Sequence, residues 1–156
     1  MTLPATRRLW LLIALIVAAD QATKHWALNR LSGGRTIDLV GSLRFNLAFN
    51  KGMAFSQATG AGPVIGALAL VVVIVIVVSL RRNARGHAGF AAGLIVGGAV
   101  GNLLDRLFRG DAWLRGAVVD FIDLQWFPVF NIADSAITIG AALMLIASVR
   151  VRGDES

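Results

Sequence analysis

No cysteine occurs in this 156-residue chain, which excludes disulfide frameworks, thiol nucleophiles and cysteine-ligated metals. Histidine is almost as scarce, and His25 and His87 lie too far apart in sequence to support an imidazole metal site. Charge is thin as well: 15% of residues carry it, in clumps rather than evenly. What fills the chain is apolar. It is 56% hydrophobic with a mean hydropathy of +0.72, beyond an ordinary soluble domain. These values describe a single integral membrane domain over residues 1–156. The net charge of +6 could suggest a nucleic-acid partner. Here the bases flank apolar blocks, so the expected partner is anionic membrane lipid and not nucleic acid.

A helix needs about 20 apolar residues to cross a hydrocarbon core. Four stretches approach that length, at residues 9–28, 62–80, 87–107 and 131–149, which places both termini on one side. Arg7 and Arg8, then Arg81, Arg82 and Arg85, then Arg150 and Arg152 sit in short flanks on that side and mark it as cytoplasmic. The bases on the opposite side lie in longer loops mixed with Asp, where the bias carries less weight. The N-terminus also has a competing reading as a cleavable secretory signal, with small residues at Val17-Ala18-Ala19. Against it, the helical pattern runs on through Trp26 and Leu28.

In the first outer loop, Leu43 to Asn50 alternates large apolar with small or polar residues, the period of a strand. The second outer loop carries Trp113, Trp126, Phe127 and Pro128, which suits an aromatic belt at the membrane interface. The fold expected is an all-α membrane protein: four transmembrane helices with a small extracytoplasmic β-sheet. The second span is apolar all round and reads as a wall facing lipid. The third carries Gly89, Gly93, Gly97 and Gly101 on one face, where another helix can approach closely.

The polar residues inside this apolar background carry the chemistry. Asp20 and Lys24 share a helix face, and alone they read as an interfacial ion pair that fixes helix depth. Asn102, Asp105 and Arg106 share a face at the end of the third span. Asn50-Lys51-Gly52 alone is an ordinary Asn-x-Gly turn. Asp120 lies between Val119 and Phe121 with no structural excuse, whereas Asp134 is explained equally well as helix-start chemistry behind an Asn131 cap. If the chain folds back near Pro128, the two carboxylates meet. Their repulsion then keeps one protonated, and the ionised partner can take a proton from water. Asp123 and Asp111 compete for the same role on spacing alone.

Taken in order, Asp20-Gln-Ala-Thr-Lys24, Asn50-Lys-Gly-Met-Ala-Phe55, Gly98-Ala-Val-Gly-Asn-Leu-Leu-Asp-Arg106, Gly116-Ala-Val-Val-Asp120-Phe and Phe130-Asn-Ile-Ala-Asp134-Ser resemble the blocks of the lipoprotein signal peptidase (signal peptidase II) family. The resemblance covers nearly the whole chain. It implies a membrane aspartyl protease of the bacterial cytoplasmic (inner) membrane, with its site near the extracytoplasmic face. Asp120 and Asp134 would be the catalytic dyad. Asn50, Gly52, Asn102, Arg106 and Asn131 would bind substrate or support the dyad, and Asp20, Lys24 and Asp105 would be structural supports. The substrate would be a diacylglyceryl-modified prolipoprotein, cut just before its lipidated cysteine and entering between the third and fourth spans. The enzyme would need neither metal nor cofactor and would work as a monomer. The competing readings are a small ion-coupled transporter, which predicts carboxylates at mid-span, and a membrane scaffold using the glycine face to bind partner helices.

Overall fold

The structure is a computed structural model that describes residues 5–51, 62–83, 86–111 and 113–153. In chain order it contains α1 (Ala5–Leu31), β1 (Thr36–Val40), β2 (Leu43–Asn50), α2 (Gly62–Asn83), α3 (Gly86–Phe108), β3 (Val118–Asp123) and α4 (Ile132–Gly153). Among the described residues, Thr6–Leu31 and Ala88–Phe108 are long and apolar enough to cross a membrane, while Gly66–Val78 and Ile132–Ala147 are shorter apolar segments.

With neither Gly nor Pro inside it, α1 runs unbroken through the Ala19–Asp20 junction. Its buried residues are Leu9, Ile13, Ile16, Asp20, Lys24, Ala27 and Leu31, a stripe at helical spacing. That stripe is apolar at both ends and charged in the middle. Asp20 and Lys24 therefore do not reach out to an interface: both are 0% exposed.

The glycine face of α3 receives α1. A Cβ at Gly93 would meet Leu9 and Leu12, one at Gly97 would meet Ile16, and one at Gly101 would meet the Asp20 carboxylate. At these three glycines the face is filled from within the chain, so they offer no surface for the partner helix of the scaffold reading. Next to it, a Cβ at Gly98 would strike the Ala133 carbonyl oxygen and Ile137. On α4, a Cβ at Gly140 would lie 2.7 Å from the Ala91 carbonyl oxygen. At both levels the α3–α4 seam is closed, so the expected entry of a peptide between these helices does not fit it there. By contrast, among the described residues α2 packs Val73, Ile76 and Val77 against the Leu9, Ile13, Ala92 and Val96 cluster. Its Val64, Leu68, Val71, Ile74, Val75 and Val78 are exposed.

The three strands form one antiparallel sheet in the order β1-β2-β3. The alternating stretch is β2, which occupies the centre. Gly41, at φ +56°, makes the β1–β2 turn. The register of β2 with β3 sets Ala48 opposite Asp120 and Asn50 opposite Val118. Trp26, Phe45 and Phe121 pack ring against ring, with centroids 5.1, 6.1 and 5.9 Å apart, and fasten the sheet to the end of α1. After β3 the chain reverses at Asp123, whose Oδ1 accepts the Gln125 N–H at 2.7 Å, with Gln125 at φ 67°. The reversal thus starts before Pro128. Phe130 then bonds back to Ile122, which sets the start of α4 beside β3.

Candidate active site

Among the described residues, five elements bring polar side chains to one end of the helical bundle: the C-terminal part of α1, the end of β2, the C-terminal part of α3, strand β3 and the first turn of α4. Asn131 organises the last two. Its Oδ1 accepts the Asp134 N–H at 2.9 Å, and Asp134 Oδ2 accepts the Asn131 N–H at 3.3 Å, a reciprocal cap on α4. The cap fixes which way the amide points. Its Nδ2 must then face β3, where it donates to Asp120 Oδ1 at 2.6 Å and more weakly to Val119 O at 3.3 Å. One capping residue therefore bridges Asp120 and Asp134. The helix-start role of Asp134 holds, and the same asparagine links it to Asp120, which feels its charge.

Behind the two carboxylates lies a fully buried charge network. Lys24 Nζ bonds Asp20 Oδ2 at 2.9 Å, Asp105 Oδ2 at 2.8 Å and Asn102 Oδ1 at 2.8 Å. An ammonium has three donors and no acceptor, so all three are used. Asp105 Oδ2 also accepts the N–H of Val119, the residue before Asp120, at 3.1 Å. Asp20 Oδ1 accepts the N–H of Ala133, the residue before Asp134, at 3.0 Å. The network thus holds the backbone beside each carboxylate. Asn102 Nδ2 donates to Asp134 Oδ1 at 2.7 Å, and Asn102 Oδ1 accepts from Asn131 Nδ2 at 3.2 Å.

Arg106 is 6% exposed, and its Nη1 has no hydrogen-bond partner among the described residues. Its charge reaches Asp120, Asp105 and Asp134. The Asn50 side chain hydrogen-bonds Asp120 from the end of β2. Gly52 lies outside the described residues. The rival acids separate from the pair. Asp123 Oδ2 accepts from Arg44 Nε at 2.8 Å and Asn46 Nδ2 at 3.2 Å, farther along the sheet, and Asp111 is exposed.

The pair's electrostatics follow from burial. Asp120, 2% exposed, has its carboxyl pushed up to about 7, first by burial and then by the Asp134 charge, against the opposing amides of Asn131 and Asn50. Asp123 moves the other way. Burial would raise it, but the bonds from Arg44, the Gln125 N–H and Asn46 prevail and hold it below the usual carboxylate range. An acid near 7 beside a second carboxylate can deliver and recover protons at neutral pH. Among the described residues, no group of three or more His, Asp or Glu is placed to hold a metal ion.

Two contributors escaped the sequence reading. Gln21 Nε2 donates to Gly101 O at 3.1 Å and to Asp105 Oδ1 at 3.2 Å. Arg109 Nε donates to Asp105 Oδ1 at 2.6 Å. The second was signalled by i,i+4 spacing; the first had no signal beyond its place beside Asp20.

The signal peptidase (SPase) II family matches residues 12–150 of this chain. A lipoprotein signal peptidase of Mycobacterium leprae (strain Br4923) is 42% identical over 147 residues, 92% of this chain and 73% of that protein. One from Mycobacterium avium (strain 104) is 41% identical over 147 residues, 92% of this chain and 81% of that protein. Among solved structures, a bacterial membrane enzyme determined by the in meso method at 2.3 Å superposes with a TM-score of 0.85. It shares 28% identity, over 96% of this chain and 92% of its own.

Proposed function

Because the chain belongs to the signal peptidase II family, we propose that it is an aspartic endopeptidase of the bacterial cytoplasmic membrane that removes the signal peptide from diacylglyceryl-modified prolipoproteins, with Asp120 and Asp134 as its dyad. The observation that carries the residue assignment is Asn131, which bonds both carboxylates at once.

The ionised carboxylate takes a proton from water as the water oxygen bonds to the scissile carbonyl carbon. The protonated carboxyl donates to the carbonyl oxygen, giving a tetrahedral diol. The diol then collapses as the C–N bond breaks. A dyad carboxyl supplies the proton to the departing amine of the lipidated cysteine while the other carboxylate takes a proton from a diol hydroxyl as C=O re-forms, which restores the one-proton dyad. Arg106, with an N–H left unbonded among the described residues, is placed to hold a substrate carbonyl. Asn50 supports Asp120, and Gly52 belongs to the same loop motif. The lipid tails remain in the bilayer against apolar helix faces. The chemistry needs neither metal nor cofactor, and a single chain supplies every group named.

In this reading all four helices span the membrane, with both termini cytoplasmic and the sheet and dyad on the outer side. The position of Asp20, Asp105, Asp120 and Asp134 at one end of the bundle supports it. A transporter's carboxylates would sit nearer mid-helix. Purified protein incubated with a diacylated lipopeptide should yield a product whose new N-terminus is the lipidated cysteine, while the unlipidated peptide stays intact. Equal cleavage of both peptides, or none of either, would refute the assignment.

A further inference from the structure

The Asn102 amide has two orientations of nearly equal shape, and they have opposite consequences for Asp134. With Oδ1 towards Lys24, its NH2 donates to Asp134 Oδ1 at 2.7 Å, as found. Turned over, the NH2 would face an ammonium that can only donate, and Oδ1 would face a carboxylate. Lys24 forbids that second state. It is itself immobile, being fully buried with its three donors on Asp20, Asp105 and Asn102. Asn131 adds a weaker bond to Asn102 Oδ1 at 3.2 Å, from an NH2 it shares with Asp120 and Val119.

Asp134 consequently faces donors on both oxygens: Asn102 Nδ2 on Oδ1 and the Asn131 N–H on Oδ2. Bonds of this kind favour the charged carboxylate. The charges that reach it are Lys24 and Asp20 from α1, Arg106 from α3 and Asp120 from β3. Arg106 acts on both carboxylates, whereas Asn102 discriminates between them.

We propose that Lys24 is a positioning residue for the dyad: held by Asp20 and Asp105, it turns the Asn102 amide towards Asp134, which makes Asp134 the carboxylate that takes the proton from water and leaves the shared proton on Asp120. The proposal rests on the reading of Asp120 and Asp134 as the dyad. It gives a buried lysine, otherwise a structural support, control over which acid is the base.

The test uses the full chain in detergent and a diacylated lipopeptide, with kcat and KM followed across pH and thermal melting recorded for each protein. Asp20→Asn/Lys24→Met removes one buried charge of each sign and leaves Asp105 its bonds to Arg109 and Gln21. Its kcat should fall at least about tenfold, with KM within about twofold, and the acid limb of kcat should rise by about one pH unit. Asp20→Asn alone removes a negative charge near Asp134 and should not move that limb upward. Asn102→Asp keeps an acceptor for Lys24 but cannot donate to Asp134, and its own charge adds to the effect, so it should show at least the same loss and a larger upward limb. A folded double variant with the parent's limb, or a loss of rate that only tracks the unfolded fraction, overturns the proposal. If the double variant does not fold, Asn102→Asp decides: a parental kcat and limb there overturn it as well. A parent chain that fails to cleave the lipopeptide would instead sink the functional assignment itself.

Discussion

Asn131 donates its side-chain NH2 to Asp120 at 2.6 Å while its side-chain Oδ1 accepts the Asp134 N–H at 2.9 Å, so the start of α4 and the geometry of the two acids are one structural event. The two duties can be separated by substitution. Serine caps a helix about as well as asparagine, within a few tenths of a kcal/mol. It is too short to reach Asp120. Asn131→Ser should therefore melt within a few degrees of the parent and lose at least about tenfold in kcat, the scale expected when a positioned donor is removed. Parental turnover with a lowered melting temperature would show that Asn131 serves the cap alone.

Asp120→Asn and Asp134→Asn should each abolish cleavage of the lipopeptide while the proteins still insert and purify as folded chains. Asparagine preserves shape but can neither give up a proton nor accept one as a base. A chelator should leave the parent's rate unchanged, because the two carboxyls activate water unaided. Normal turnover in both variants, or strong inhibition by the chelator, would end the aspartyl mechanism.

Much of this arrangement was legible in the sequence, and the misses have physical causes. The helices announce themselves as long apolar runs, and β2 announces itself by alternation. The strand bearing Asp120 gave no such sign: Val118–Asp123 is covered on both faces, so its sequence is a continuous apolar block without period two. The Asp20–Lys24 pair was visible as a pair but not as buried. An i,i+4 acid and base look the same on a surface as in a core, and only the arrival of Asp105 from α3 distinguishes them. The glycine face of α3 was evident, but its occupant, α1, belongs to long-range packing that spacing does not encode.

The raised Asp120 carboxyl has a stability consequence with a definite sign. Its folded value is about 7 against an ordinary 3.8, so between these values the folded state holds a proton that the unfolded chain releases. Its contribution is complete below pH ~4 and is lost as pH rises through about 7, at up to about 1.4 kcal/mol per pH unit. Asp120→Asn cannot ionise and should lose this slope, gaining stability relative to the parent above pH 7. Melting temperatures of both proteins at pH 5 and pH 8 provide the check. An identical pH dependence in the two would show that Asp120 titrates normally.

Asp123 should behave as a sheet residue rather than a third acid. It ties β3 to β2 through Arg44 and Asn46 and starts the reversal through the Gln125 N–H. Asp123→Ala should cost about 1–3 kcal/mol by leaving those donors without their acceptor. Turnover per folded molecule should stay within a few-fold of the parent. Loss of turnover in a fully folded variant would return Asp123 to the list of candidate catalytic acids.

Gly98 tests whether the α3–α4 seam sets the dyad. A Cβ there would meet the Ala133 carbonyl oxygen, which is backbone and cannot rotate away, and would lie 2.8 Å from Ile137 Cγ1. Ala133 sits between Asn131 and Asp134, and its N–H is held by Asp20 at 3.0 Å. Gly98→Ala should therefore push the first turn of α4 off its cap and out of reach of Asn102. Overpacking of this kind costs about 1–3 kcal/mol. Because the displaced turn carries Asp134, kcat should fall more steeply than the folded fraction does. Gly93→Ala would first meet the Leu9 and Leu12 side chains, at the other end of α3 from the acids, and should lower stability without that extra loss of rate. Equal effects of the two substitutions on rate per folded molecule would mean that α4 can shift without disturbing the acids.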